Sequence, residues 1–390
     1  MFGGDWFALI PLVTLLQKLT GSGLPGALAL AADTGIVALA LPYAGTLADR
    51  LDRRRLLVFS NLATICAILL LFLVRSPSMA WLGPVAIGLA AAAKAAYSPA
   101  ASAALPNLVD APDLPAANAL GGSVWGTMLV VGASLGGVLS SAFGPYVCFG
   151  ITVVCLSVAA FLVWGVRRPM QTARDSGAAV VVRPLQAIRE AMRYIRSEPR
   201  VLSLVTVKSA VGVGNGVLAV FPLLATVVFP IGPIGTGLLF AARGLGALTG
   251  PLVLRRVLTH RSWLLPGLAL SMALYGVAYI GVALSPCFWL VLVLVATAHF
   301  AGGGNWVMSS FALQVEVPDS LRGRVFATDM MLATLAVSVS VLIAGALVDH
   351  LHPRVLVAAC GSATLLYAIG WRLVTRRLVA KPATVASGAS

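Results

Sequence analysis

With 390 residues, 59% of them hydrophobic and 10% charged, and a formal net charge of +14, the chain carries far less charge than the roughly one quarter usual in a water-soluble domain. A nucleic-acid binder would gather its basic groups on one face, but here the clusters at 50–55, 167–200, 255–261, 322–324 and 372–381 are dispersed between apolar runs. Those runs are about twenty residues long, enough to cross a bilayer as helices, so the composition predicts an all-α integral membrane protein with no nucleic-acid partner.

The first run, 1–20, opens MFGGDWF, with no basic flank and no small-residue cleavage site. It reads as an uncleaved first helix rather than a signal peptide, and Asp5 inside it predicts that the natural helix extends upstream. Further helices are expected near 24–48, 56–74, 79–100, 119–142 and 146–166. After a polar stretch come six more, near 201–228, 234–254, 262–284, 286–311, 325–348 and 354–375. Twelve spans result: an N-terminal six-helix bundle (1–166), a linker (167–200), a C-terminal six-helix bundle (201–376) and a tail (377–390). In the linker, Leu185, Ile188, Met192 and Ile195 recur at helical intervals, with Arg189, Arg193 and Arg196 at other positions. Such a helix either lies on an anionic leaflet or is a solvated connector.

If the loop after the second helix is cytoplasmic, the inside holds Arg50, Arg53, Arg54 and Arg55, eight arginines of the linker, and the later basic clusters. The outside keeps Lys18, Arg75 and Arg354. The positive-inside rule is then satisfied along the whole chain, with linker and both termini in the cytoplasm. The five cysteines fall singly in apolar runs. The histidines, His260, His299, His350 and His352, have too few neighbouring ligands for a metal site. No zinc-peptidase, dyad or nucleotide-binding pattern is evident, so neither an enzyme nor a cofactor is expected, and ATP is not the direct energy source.

The most specific signal is GTLADRLDRRRL at 45–56. Gly45 permits close backbone approach, Asp49 offers a carboxylate at a helix end, and Arg50, Arg53, Arg54 and Arg55 fix the loop in the cytoplasm. A weaker copy, GPLVLRRVL at 250–258, follows the eighth helix with Leu254 in place of the acid. The pattern resembles the loop signature of the major facilitator superfamily. GDWF at 4–7, SPAASAALPNLV at 98–109, AANAL at 116–120 and PDSLRGRVFA at 318–327 extend the resemblance over nearly the whole chain, toward the enterobactin-exporter and macrolide-efflux branch. GASLGG, with Gly132, Gly136 and Gly137, is similar to the antiporter motif of helix 5, with Ala133 where proline is usual. Ala101 stands where related sequences often have arginine, so that contact is either missing or supplied by Lys94 or Arg50.

The resemblance implies two bundles related by a pseudo-two-fold axis, rocking about a central site. It also implies that Asp49 sits near the start of helix 11, between Arg324 and Asp329, and locks the outward-open state. Ionisable groups inside spans cost of order 2.5–3.5 kcal/mol on insertion scales and normally face protein or a wet cavity. Six stand on helices that line the cavity in this family: Asp5, Asp33, Lys94, Lys208, Arg243 and His299. Asp33 is the first candidate for proton coupling and Asp5 the second. Lys94, Lys208 and Arg243 are expected to pair internally, or else to favour an anionic or zwitterionic ligand. Trp125, Asn305 and Trp306 either line the cavity or face lipid. The expectation is a monomeric proton-coupled exporter of a small amphipathic drug, macrolide or siderophore-like molecule in a bacterial-type cytoplasmic membrane, with protons and membrane lipids as partners. A transporter-like sensor without turnover, or an uptake or uniport carrier, is the alternative.

Overall fold

Hydrocarbon offers no partner to a backbone N–H or C=O, so each apolar run satisfies its own polar groups by becoming a helix. In a computed structural model, which describes residues 2–171, 184–254 and 263–378, these helices form twelve rods. The first three are α1 (Phe2–Thr20), α2 (Leu24–Arg50) and α3 (Arg53–Leu69), the last prolonged by a 3-10 turn, Leu70–Leu73. The fourth rod is broken into α4 (Leu82–Lys94) and α5 (Tyr97–Leu108); α6 (Leu114–Phe143) and α7 (Pro145–Gly165) complete the half. The linker forms α8 (Pro184–Ser197). The seventh rod starts as α9 (Pro199–Gly214) and continues through a 3-10 turn (Asn215–Ala219), the short α10 (Phe221–Leu223) and a π turn (Leu224–Val228). It is followed by α11 (Pro233–Leu254), α12 (Leu264–Leu284), α13 (Phe288–Glu316), α14 (Asp319–Leu347) and α15 (Pro353–Thr375). Ten rods are long and apolar enough to cross a membrane, and α1 and α6 carry the shorter apolar stretches Phe7–Thr20 and Ser134–Phe143.

Three helices begin earlier than their apolar runs, at 53, 114 and 319 rather than 56, 119 and 325. The reason is visible at α3, where Asp52 caps the helix by accepting the Arg55 N–H at 2.8 Å, so the basic first turn is already helical. Polar residues can occupy a helix start that lies outside hydrocarbon, and a hydropathy count misses them.

The N-terminal helices pack on one another, α1 against α6 and α7, α2 against α4, and α3 against α4 and α7. The C-terminal set does likewise, with α11 on α13, α12 on α13 and α15, and α9 on α14. The seam between the halves is α2 along α14 and α6 along α11. The buried apolar core differs between the two ends of the seam. At the end away from the linker, one cluster joins both halves, including Leu12, Leu16 and Phe149 with Val217, Phe221 and Tyr279. At the linker end there are two clusters, one with Ala44, Leu57 and Ala100, the other with Leu204, Leu265 and Val325. Among the described residues the halves are therefore joined by one apolar cluster at the far end and not at the linker end.

Helix α8 has an apolar face that meets protein. Ala191 and Ile195 are fully buried in the C-terminal cluster, while Arg189, Arg193 and Arg196 point outward and Leu185 is 71% exposed. By this face the helix is docked on the C-terminal half, where Arg324 of α14 holds Glu190 at 2.5 Å.

Small residues set the closest helix approaches, as in membrane bundles generally. A Cβ on Gly250 or Gly246 of α11 would run into the α13 backbone at Phe300 or Ala296, whereas Gly370 of α15 faces open space. Gly250→Val is accordingly expected to destabilise the protein by more than the 1–3 kcal/mol typical of overpacking. Gly370→Ala is expected to be neutral or stabilising by about 0.5–1 kcal/mol, since alanine is the better helix former. Thermal unfolding of the purified protein in detergent measures both.

Candidate functional site

Five ionisable side chains lie inside the spans, in two layers. Counted from the helix starts at 1.5 Å per residue, Lys208 and Asp329 sit about 14–15 Å in from the linker end along α9 and α14, whereas Asp33, Arg243 and His299 sit about 14–17 Å in from the far end along α2, α11 and α13, all within a roughly 30 Å hydrocarbon core. Lys94 joins the layer of Asp33 from the last turn of α4, at the break in the fourth rod. There the C-terminal carbonyls favour a cation. Its Nζ donates to Asp33 Oδ1 at 2.7 Å, and both side chains are mostly buried.

In the C-terminal half, Lys208 donates to Asp329 of α14, and both side chains are fully buried. Lys208 also donates to Ser310 Oγ at 2.9 Å and sits 5.5 Å above the Trp306 ring. Removing one member of such a pair leaves an uncompensated buried charge, at a cost of about 3–5 kcal/mol. Pairing thus accounts for two of the three basic groups singled out in the sequence.

The third, Arg243, is surrounded by aromatic groups. Tyr275 and Tyr279 of α12 lie within Coulombic reach of its guanidinium, and so does Asp33 of the other half. Tyr279 Oη and His299 Nε2 share a hydrogen bond at 2.8 Å, and the Tyr275 ring stands edge-on to His299 at 5.3 Å. Two glycines admit the Tyr275 ring: a Cβ on Gly214 or Gly302 would press into it. Asn305 is fully buried one turn further along α13 and donates to Ser271 Oγ at 3.0 Å and to the Leu268 carbonyl at 3.3 Å. It ties α13 to α12, and Trp306 packs on Lys208.

The amino-acid sequence matches the transmembrane secretion effectors of the major facilitator superfamily over residues 4–387. The chain belongs to that family. A multidrug efflux pump, Tap of Mycolicibacterium fortuitum, is 26% identical over 367 residues, spanning 89% of this chain and 86% of its own length. Among solved structures, an auto-inhibited peptide transporter of the POT family gives a TM-score of 0.70 at 14% identity, covering 97% of this chain and 96% of that one. The nucleoside transporter NupG gives 0.71 at 12% identity, covering 96% and 97%. These two likenesses show the fold. The protein is thus a multi-pass membrane transporter, a distant relative of a drug-efflux pump, and not an enzyme.

The loop signature of the family is described at its basic run. Arg53 Nη1 donates to the Ala103 carbonyl at 2.8 Å and to that of Met170 at 3.2 Å, and Arg54 Nη2 donates to the Arg168 carbonyl at 3.1 Å. The start of α3 is thereby tied to α5 and to the segment after α7. Lys94, one of the two residues expected to stand in for the arginine missing at 101, is engaged with Asp33, and Arg53 makes the tie to α5. The side chains of Asp5, Gly45, Asp49, Arg50 and Trp125 lie outside the described residues, as does His260. Arg324, near which the resemblance places Asp49, is bound to Glu190 of the linker helix.

The glycines of helix 5 serve close approach. Gly132 is buried, Gly136 lies against the Phe7 backbone, and a Cβ on Gly137 would fall 2.8 Å from Gly237 Cα across the seam. Other contacts close the same far end. Gln17 donates to Thr226 Oγ1 at 3.1 Å, Ser338 donates to the Ala31 carbonyl at 2.9 Å, and the Asp349 carboxylate accepts from Gly23 N–H at 2.9 Å and from the Ser22 hydroxyl. Among the described residues no cluster of three or more metal-ligating side chains occurs, and His352 instead caps α15 by accepting the Arg354 N–H.

The sequence reading assigns no site role to Asp329, Tyr275, Tyr279 or Asp349. Asp329 carries a usable signal, an acid inside the apolar run expected at 325–348. The tyrosines carried none, since aromatic residues in a span face lipid as often as core.

The Tyr279–His299 bond is buried on both sides, so Tyr279→Phe leaves a ring nitrogen unsatisfied and is expected to cost about 1–3 kcal/mol. His299→Leu together with Tyr279→Phe should cost less than the two single changes summed. A double-mutant cycle by thermal unfolding measures the coupling, and strict additivity would show that the bond does not contribute.

Proposed function

We propose that this transporter exports small amphipathic organic molecules, drug-like or siderophore-like, in exchange for protons, by alternating access between its N-terminal (1–166) and C-terminal (201–376) bundles. Efflux rests on kinship with Tap. Coupling rests on one observation above all: the Asp33–Lys94 pair stands at mid-depth beside the break in the fourth span, with Arg243 of the other half in electrostatic range.

A proton added to Asp33 cancels its charge and releases Lys94, so the field across the seam changes at the depth where a substrate would bind. A ligand or proton shifts the two arrangements only through its differential affinity for them, and a pair facing the seam has that property. Broken helices are where transporters commonly place such sites. Tyr275, Tyr279, Trp306 and Arg243 supply aromatic and hydrogen-bonding surface of the kind that takes amphipathic molecules.

In this reading the linker end is cytoplasmic, because the arginines concentrate there, and both termini lie in the cytoplasm of a bacterial-type cell. The fused far end and the separate clusters at the linker end then correspond to a state open inward, ready to load substrate. The transporter works as a monomer, with protons and lipids as its partners.

The test is dye transport in everted membrane vesicles containing the protein, with ethidium as the probe. Wild type is expected to accumulate ethidium when the lumen is acidified and to stop when a protonophore is added. Asp33→Asn is expected to lose the gradient-driven accumulation at unchanged protein level. Accumulation indifferent to the protonophore would discard proton coupling.

A further inference from the structure

The Asp33 reading leaves the most deeply buried ion pair of the molecule without a task. Lys208 and Asp329 are both 0% exposed, and a buried pair is a poor source of stability, since apolar residues of similar volume commonly do as well or better. Two details of its geometry bear on what it does.

The first is that the carboxylate is only half satisfied. One oxygen, Oδ2, holds Lys208, while Oδ1 is buried and accepts no hydrogen bond from the protein. A buried, unpaired carboxylate oxygen is costly, and adding a proton to it removes the charge.

The second is that Lys208 has an alternative seat. Ser310 Oγ accepts from it at 2.9 Å and the Trp306 ring lies 5.5 Å away, a hydroxyl and a cation-attracting face, both on α13. Both side chains are only partly buried, so they form the rim through which the pair communicates with its surroundings. An ammonium set free by protonation of Asp329 remains held by α13 while its tie to α14 is lost.

We propose that Asp329 is a second proton-binding site of this transporter, with Lys208 as the counter-ion it releases on protonation. The step is a simple addition: a proton joins Oδ1, the carboxylate becomes a neutral carboxyl group, and Lys208 keeps its positive charge, held by Ser310 Oγ and the Trp306 ring. The inference rests on the proton-coupled reading above.

The consequence follows from where α14 runs. This helix forms the seam with α2, donates Ser338 to the Ala31 carbonyl and is followed by Asp349, which binds the α1–α2 turn. Protonation of Asp329 releases one tie of α14 to α9, the Ser340 hydroxyl staying on the Val213 carbonyl, while these bonds to the other half persist, which biases the packing at the seam. Among the described residues, the charged groups on the elements packed against α14 leave Lys208 as its counter-charge. The turn at Asn215 brings no charge, Asp33 on α2 is bound to Lys94, and Glu190 on α8 is bound to Arg324.

The experiment uses the full-length protein in proteoliposomes with ethidium as probe, comparing dye accumulation driven by a pH gradient with dye counterflow, a step that needs no net proton movement. Asp329→Asn should still exchange dye by counterflow, while driven accumulation falls at least about tenfold, as expected when proton binding no longer biases the two states. Should that variant fail to fold with Lys208 uncompensated, Lys208→Gln/Asp329→Asn removes both charges and keeps hydrogen-bonding groups, and the same loss is expected. Driven accumulation surviving in either folded variant, with Asp33 intact, overturns the proposal. A sodium gradient that drives wild type and not Asp329→Asn also overturns it, by making the ligand a metal cation. If wild type exchanges dye and no pH gradient drives it, the proton-coupled reading itself fails, a result distinct from the other two.

Discussion

Ionisable groups in hydrocarbon have to be neutralised where they stand, and the interior of this transporter is arranged around that requirement. Asp33 is held by Lys94 and Asp329 by Lys208, while Arg243 is set among tyrosines within reach of Asp33. Each of these groups would otherwise resist insertion into the bilayer. Pairing makes them tolerable, and in the proposed coupling it also makes them sensitive to a proton.

That sensitivity is transmitted by rigid rods. Helix α14 carries one member of the buried pair, forms the seam with α2, and leads into Asp349 at the far end. At the linker end the same helix presents Arg324 to Glu190 of α8, whose apolar face is already buried in the C-terminal cluster. A shift of α14 relative to α9 is therefore felt at the seam, at the far-end closure and at the linker helix. Among the described residues the apolar cores of the two halves are distinct at the linker end and joined at the other, so separation at the linker end breaks no shared apolar cluster.

The basic residues away from the linker show how topology signals and local structure coincide. Arg75 donates to the Phe72 carbonyl at the end of the third rod and lies over the Tyr146 ring. Arg354 donates to the carbonyls of Ala283 and Ser285, where α12 ends. Both satisfy carbonyls that a helix terminus leaves open, so these exceptions to the charge asymmetry have structural roles.

Number, order and approximate length of the spans were legible in the sequence because hydropathy is a property of each segment alone, and the loop motif at 45–56 was legible because its residues are contiguous. Asp33, Lys94, Lys208, Arg243 and His299 stood out too, as charged or titratable groups in apolar runs. Their partners did not. Lys94 meets Asp33 across 61 residues and Lys208 meets Asp329 across 121, and no local pattern encodes which faces of two distant helices will touch. The apolar face of α8 was plain in its periodicity, yet whether lipid, water or protein covers such a face depends on what the neighbouring rods leave exposed. Sequence by itself determined that this chain must live in a membrane and fold as helices, since each residue's transfer energy is its own. Only the tertiary structure decided which charges neutralise one another, because that depends on the depth and rotation at which the helices pack.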